Sequence, residues 1–110
     1  MTFDESYEMI KHKFLEADLS KIDKDFSAEF CLTDEQEHYV YAAYIDGQKI
    51  IEPVQHGGTD VTVRMSFETA EQLLYKELDP FKAFTTGKVK ARGNIFLALS
   101  LYKQFKGNAS

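Results

Sequence analysis

The sequence of 110 residues contains no tryptophan, a single cysteine and no apolar run near the length of a membrane-spanning helix. A lone cysteine excludes a framework of internal disulfides, and a helix that crosses a bilayer needs about 20 apolar residues in succession. The histidines lack the spacing of metal ligands, and the glycines form no phosphate-binding loop. We therefore expect no metal and no other cofactor.

The first residues are acidic and lack the basic and apolar regions of a secretory signal peptide. The last residues do not form a peroxisomal signal. A chain of this length is expected to fold as one domain. Together these features predict a single cytoplasmic domain over residues 1–110.

Catalytic residues are not indicated either. Cys31 has no neighbouring base in its predicted strand, although a cysteine nucleophile requires one. His56 stands beside two glycines in a predicted loop, where a histidine is usually exposed to solvent. We therefore expect no catalytic residues and no enzymatic activity.

The net charge of −5 is unevenly distributed. Residues 1–75 carry 16 acidic and 6 basic side chains, whereas residues 76–110 carry 2 acidic and 7 basic ones. An acidic chain without a base-stacking motif is not expected to bind nucleic acid. The basic part either contacts an anionic membrane or is a solvated surface that only favours solubility. The side chains assigned to the membrane contact are Lys88, Lys90, Arg92 and Lys103.

The first half of the chain predicts one helix followed by strands. Thr2 and Glu5 have the spacing of a capping box, and the apolar stripe behind them predicts a helix that ends near Leu19. Alternating apolar residues then predict a half-buried strand over residues 26–33. Three more strands are expected in an antiparallel run, over residues 39–45, 48–52 and 61–65, with a hairpin turn at Asp46-Gly47.

Two helices are predicted after the fourth strand. Ser66 or Thr69 is expected to cap the first of them, whose apolar stripe extends as far as Leu78. Asp79 is expected to cap the second, with Pro80 in the first helical position, where its missing N–H group is tolerated.

The last two predicted elements are a strand and a helix. Residues 88–92 alternate basic with apolar side chains, as in a strand at the edge of a sheet. Residues 95–105 are so apolar that their helix is expected to have no free face, and it either fills the core or walls a cavity. The order of elements predicts an α+β fold with helices packed on a sheet.

The C-terminal third carries a resemblance to a known family. The run from Gly87 to Asn94, which reads GKVKARGN, follows Ala83-Phe84 and precedes the apolar helix. With these motifs, the chain resembles the sterol carrier protein 2 family of sterol-binding domains, or nonspecific lipid-transfer proteins, over about residues 22–105. The resemblance implies a five-stranded, mainly antiparallel sheet covered on one face by helices, an apolar tunnel for lipid between them, and no catalysis.

Bulky side chains follow the Gly-Asn pair where members of the family often have small or flexible ones, which favours a slim acyl chain over a sterol. The apolar residues that we assign to ligand binding are Leu73, Leu74, Leu78, Phe81, Phe84, Leu97, Leu101 and Phe105. The alternative is that these side chains simply pack on one another.

Two classes of function follow from these observations. The first is non-enzymatic binding, with transfer between membranes, of a lipid such as a fatty acid, fatty acyl-CoA, phospholipid or sterol-like molecule. The second is a scaffold or regulatory domain that uses the same apolar face for a protein partner or for self-association.

Overall fold

The computed structural model describes residues 2–22 and 24–107, and within them the chain forms a five-stranded sheet, four α-helices and one 3₁₀ turn. In chain order the elements are α1 (Phe3–Glu16), the 3₁₀ turn (Leu19–Lys21), β1 (Phe26–Thr33), β2 (Glu37–Ile45), β3 (Gln48–Glu52), β4 (Val61–Ser66), α2 (Phe67–Tyr75), α3 (Pro80–Thr85), β5 (Val89–Gly93) and α4 (Ile95–Gly107).

The strands lie in the order β3-β2-β1-β4-β5, so β1 is central and β5 is at an edge. The pairs β1–β2, β2–β3 and β4–β5 are antiparallel, whereas β1 and β4 are parallel, with Phe30 beside Val63. The α+β class and the mainly antiparallel five-stranded sheet are confirmed. The expected antiparallel run of four strands is wrong, because the chain leaves β3 at one edge and returns on the other side of β1.

Residues 53–60, here called the crossover, connect β3 to β4 across the face of the sheet opposite the helices. The buried carboxylate of Glu29 accepts hydrogen bonds from the backbone N–H groups of His56 (2.6 Å) and Gly57 (3.1 Å). The His56 ring also stacks on Tyr41, with 4.0 Å between ring centroids. Because the crossover covers this face, β1 is buried on both sides and not half-buried as expected.

The first helix begins as predicted and ends earlier. The Thr2 hydroxyl accepts a hydrogen bond from the Glu5 backbone at 3.2 Å, and the Glu5 carboxylate accepts one from the Thr2 backbone at 2.9 Å, which completes the capping box. The helix ends at Glu16, because the backbone of Ala17 is extended. The Lys49 ammonium donates hydrogen bonds to the carbonyls of Leu15 (2.6 Å) and Ala17 (2.7 Å) at this end. These bonds satisfy carbonyls that the helix end leaves unpaired.

The first residues of the next two helices are determined by their N-caps. The Ser66 hydroxyl accepts a backbone hydrogen bond in the first turn of α2 at 3.0 Å. That helix ends at Tyr75, so Leu78 lies beyond it and not on its apolar stripe. The Asp79 carboxylate accepts a hydrogen bond from the Phe81 backbone at 2.9 Å and so begins α3.

The corner between β5 and α4 is a close approach of two backbones. Gly93 has a φ of +93°, and a Cβ atom at this position would lie 2.4 Å from the carbonyl oxygen of Asp60. The next residue, Asn94, donates its backbone N–H to that same oxygen at 2.8 Å. Its side chain also accepts a hydrogen bond from the backbone of Leu97 at 3.1 Å, which is the predicted N-cap of α4.

The core lies between the sheet and the helices, with Phe14 of α1, Leu32 of β1, Val40 of β2 and Leu101 of α4 almost fully buried. Among the described residues, no helix has the length and apolar composition needed to cross a membrane.

Candidate functional site

An apolar cavity of about 270 Å³ lies between the sheet and the helices. Of the residues that line it in the described part of the chain, Tyr102 alone has a polar group in its side chain. The lining residues are Ile10, Phe30, Val63, Met65, Ala70, Leu73, Leu74, Pro80, Phe81, Phe84, Val89, Ala91, Ile95, Ala98, Leu99, Leu101, Tyr102 and Phe105.

The floor of the cavity is the helix-facing side of the sheet. Side chains alternate between the two faces of a strand, so residues two apart lie on the same face. Val63 and Met65 of β4 share a face in this way, and so do Val89 and Ala91 of β5. Phe30 of the central strand completes the floor beside Val63.

The walls come from two helices whose lining residues follow helical spacing. Helix α2 contributes Ala70, Leu73 and Leu74, which are three and four positions apart. Helix α4 contributes Ala98, Leu101, Tyr102 and Phe105 in the same spacing. Each helix therefore presents one continuous apolar stripe to the cavity.

The mouth of the cavity is formed by α3 and the first turn of α4. Phe81 and Phe84 are 64% and 45% exposed, and Ile95 is 41% exposed, although all three line the cavity. The lining residues Leu73 and Leu101 are buried at the opposite, inner side. The cavity is thus closed by the core on one side and reaches solvent at α3.

Six of the residues that sequence analysis assigned to ligand binding line this cavity. They are Leu73, Leu74, Phe81, Phe84, Leu101 and Phe105. The other two, Leu78 and Leu97, do not line it. Leu97 is buried in the core, and Leu78 packs against the core after the end of α2.

Twelve other lining residues were not predicted as site residues; five of them lie in strands and seven in helices. Alternation indicated that Phe30, Val63 and Met65 face the core. It gave no indication that a cavity separates these side chains from the helices. The parallel pairing of β1 with β4, which brings their side chains together, left no signal in the sequence.

The expectation that α4 has no free face is wrong at the start of the helix. Phe96 is 81% exposed and does not line the cavity. The reason is geometric: the helix begins at the mouth, where neither the sheet nor α2 reaches its outer side.

The basic side chains assigned to a membrane contact are all exposed. Since Val89 and Ala91 point into the cavity, Lys90 and Arg92 project from the opposite face of β5. Lys103 is on α4 and does not line the cavity.

A polar cluster on the outer face of the sheet surrounds Cys31. The thiol lies 3.5 Å from the Glu37 carboxylate and 3.6 Å from the Arg64 guanidinium, which also donates a hydrogen bond to Glu37. Burial, reinforced by Glu37, raises the pKa of the Cys31 thiol, and the thiol therefore stays protonated and weakly nucleophilic near neutral pH. Within residues 2–22 and 24–107, no group of three or more His, Cys, Asp or Glu side chains could hold a metal ion.

The fold and the cavity together define a class: an α+β domain whose helices enclose an apolar space against a five-stranded sheet. A model of the SCP-2 sterol transfer family matches residues 8–106. The chain therefore belongs to this family, whose members bind and transfer lipids.

One curated relative is the mouse (Mus musculus) peroxisomal multifunctional enzyme type 2, which is 43% identical over 53 residues. This match spans 48% of the chain and only 7% of the enzyme, so the chain corresponds to a small part of that protein.

Similar folds occur in solved structures. Palmitated SCP2L2 from Aedes aegypti is 20% identical, with a TM-score of 0.74 over 96% of this chain and 95% of that one. Apo sterol carrier protein 2 from Yarrowia lipolytica is 18% identical, with a TM-score of 0.65 over 92% and 73%. The sec-alkylsulfatase Pisa1 from Pseudomonas sp. is 18% identical, with a TM-score of 0.71 over 83% of this chain and 14% of its own. At these identities the similarity concerns the fold.

Proposed function

We propose that the chain binds one slim apolar chain of a lipid in the cavity, without catalysis, and carries it between membranes. The observation that supports this most strongly is the lining, which is almost wholly hydrocarbon and opens at one end. Membership of the SCP-2 sterol transfer family and the palmitate carried by the similar Aedes aegypti domain agree with it.

The size of the cavity favours an acyl chain over a complete sterol. A protein cavity of about 150 Å³ accommodates benzene, with its six carbons. In proportion, the cavity of about 270 Å³ accommodates about eleven carbons. Fatty acids, fatty acyl-CoA and phospholipids all carry an acyl chain of which about eleven carbons fit this space, and a sterol-like molecule would enter in part.

The chemistry of the lining favours entry of the lipid tail with the head group outside. A carboxylate or phosphate inside the cavity would be a buried charge without a partner, which is strongly unfavourable. We assign the ligand contact to Leu73, Leu74, Phe81, Phe84, Leu101 and Phe105, which line the cavity. Leu78 and Leu97 support these side chains from outside it. Discrimination among head groups is expected to be weak.

A transient contact with an anionic membrane is the second part of the proposal. Lys88, Lys90, Arg92 and Lys103 are exposed and would add long-range attraction to such a surface. The cytoplasmic location expected from the sequence stays a prediction.

The alternative function is a scaffold or regulatory domain. It is favoured by the exposure of Phe96 and Phe81, at 81% and 64%, since large exposed apolar side chains also mark contacts between proteins.

The test is saturable binding of a fluorescent fatty acid to delipidated protein, together with native mass spectrometry of protein purified from its host. Leu101→Asp places a carboxylate in the cavity wall and is expected to abolish binding. Leu15→Asp, on an exposed position of α1 outside the cavity, is the control and should bind normally. Circular dichroism checks that both variants fold. Absence of a copurified lipid together with absence of saturable binding would leave the scaffold function.

A further inference from the structure

Four large apolar side chains are exposed on α3 and the first turn of α4, the two elements that form the mouth of the cavity. These are Phe81 and Phe84 of α3 with Ile95 and Phe96 of α4, here called the mouth patch, and they are 64%, 45%, 41% and 81% exposed. Three of them line the same cavity, and Phe96 directly follows Ile95 in the chain. Phe81, Phe84 and Ile95 are therefore continuous with the apolar interior, and Phe96 adds an exposed ring on the same turn of α4 as Ile95. The other large exposed apolar side chains, such as Leu15 on α1 and Val54 in the crossover, lie on other elements.

The charges in this part of the chain are of one sign. Residues 80–107, which comprise α3, β5 and α4, contain six Lys and Arg side chains and neither Asp nor Glu. Residues 1–79 carry 18 acidic and 7 basic side chains, so a net positive charge occurs only in the segment that bears the mouth patch. Within this segment Lys90 and Arg92 project from the opposite face of β5, away from the cavity. Lys82 lies between Phe81 and Phe84 on α3. Lys103 is seven positions after Phe96 and so lies on the same side of α4.

We propose that the mouth patch inserts into the boundary between head groups and acyl chains of an anionic bilayer, with Phe81 and Phe96 as its anchors. Apolar side chains flanked by lysines are the composition of surfaces that lie in this boundary. Seated there, the mouth would open directly onto the acyl chains, and a lipid tail would enter without crossing water. The purpose of the contact rests on the proposed lipid-carrying function, but the contact itself requires no ligand.

A second copy of the chain fits the mouth patch less well than a bilayer does. Two copies that met at this surface would bring Lys82 and Lys103 of one copy towards those of the other, and like charges in an interface oppose association. An anionic surface instead complements the segment, since each Lys or Arg near such a membrane adds favourable binding energy.

The absence of tryptophan makes the insertion directly measurable. Phe96→Trp places a single fluorescent reporter in the mouth patch, and Val54→Trp places one in the crossover on the opposite face of the sheet. Each is titrated with vesicles of phosphatidylcholine and phosphatidylglycerol that contain brominated lipid. We expect a blue shift and quenching for Phe96→Trp and neither for Val54→Trp. Binding to pure phosphatidylcholine is expected to be at least about tenfold weaker.

A second pair of variants separates insertion from ligand binding. Phe96→Ser is expected to weaken partition into the anionic vesicles about tenfold, whereas Leu15→Ser, exposed on α1, should leave it unchanged. Because Phe96 does not line the cavity, Phe96→Ser should bind a fluorescent fatty acid in solution as the unmodified chain does. If the unmodified chain does not bind the fatty acid, the lipid-carrying function is refuted. The insertion of the mouth patch into a bilayer is still tested separately by the vesicle titrations.

Two results would overturn the proposal. One is equal emission and quenching of the two tryptophan variants on anionic vesicles. The other is a blue shift of Phe96→Trp that depends on protein concentration without vesicles, with a doubled mass in sedimentation, which would show that a second copy covers the patch.

Discussion

The affinity of the chain for straight-chain lipids should depend on chain length up to a limit that the cavity sets. Burial of each methylene contributes about 0.8 kcal/mol, which corresponds to about a fourfold lower Kd. Since the cavity of about 270 Å³ accommodates about eleven carbons, the gain should continue to about that length and then level off. Further methylenes would remain at the mouth, partly in water.

A variant of the cavity wall sharpens this prediction. Ala98 lies on α4 and lines the cavity, so Ala98→Phe adds a phenyl ring to the interior. If the ring takes about the 150 Å³ that benzene needs, room for about five carbons remains. The limit should therefore move from about eleven carbons to about five. Leu15→Phe, outside the cavity on α1, is the matched control and should not move it.

The assay is displacement of a fluorescent fatty acid by fatty acids of about three to about sixteen carbons, below their critical micelle concentrations. A Kd that falls at the same rate through the longest chain would refute the assigned limit. A Kd without any dependence on length would refute binding in the cavity altogether.

Three predictions concern stability and are measured by urea unfolding. Gly93→Ala should destabilise the fold by about 2 kcal/mol or more, because a Cβ atom would meet the Asp60 carbonyl at a positive φ; unchanged stability would contradict the close approach. Ser6→Ala should stabilise it by about 1 kcal/mol, because the buried Ser6 hydroxyl has no hydrogen-bond partner among the described residues; a loss would indicate an unseen partner. The hydrogen bond and charge of Arg64 lower the pKa of Glu37 from its ordinary 4.5. The unmodified chain should therefore be more stable than Glu37→Gln at pH 7 and lose that advantage as the pH falls below 4.5; a constant difference would exclude the linkage.

Local signals in the sequence were sufficient wherever neighbouring residues determine the structure. The capping box of Thr2 and Glu5 and the turn at Asp46-Gly47 depend on residues within a few positions of each other, and both form. The same is true of the cap at Asp79.

Features that depend on residues distant in sequence were not predictable in the same way. Parallel pairing of β1 with β4 depends on the path of the crossover, and burial of Glu29 depends on backbone groups 27 and 28 positions away. The end of α1 depends on Lys49, more than 30 residues further on.

The same distinction between local and distant determinants applies to the candidate site. Helical spacing identified Leu73, Leu74 and Leu101 as apolar positions on two helices. It could not show that α3 and the first turn of α4 lie at the surface, since exposure of Phe96 depends on where the neighbouring elements stop. Membership of the family was accessible from the sequence because its motifs are contiguous in the last third of the chain.

The corner at Gly93 has a consequence for how the cavity could widen. There, β5 and α4 are tied to Asp60 by a backbone hydrogen bond, so floor and wall meet at a fixed angle on that side. Helix α3, on the other side, has six residues, of which Ala83 is the one that is buried. Segments with few buried contacts open at the lowest free energy. A ligand larger than the cavity would therefore displace α3 outward and leave the corner at Gly93 undisturbed.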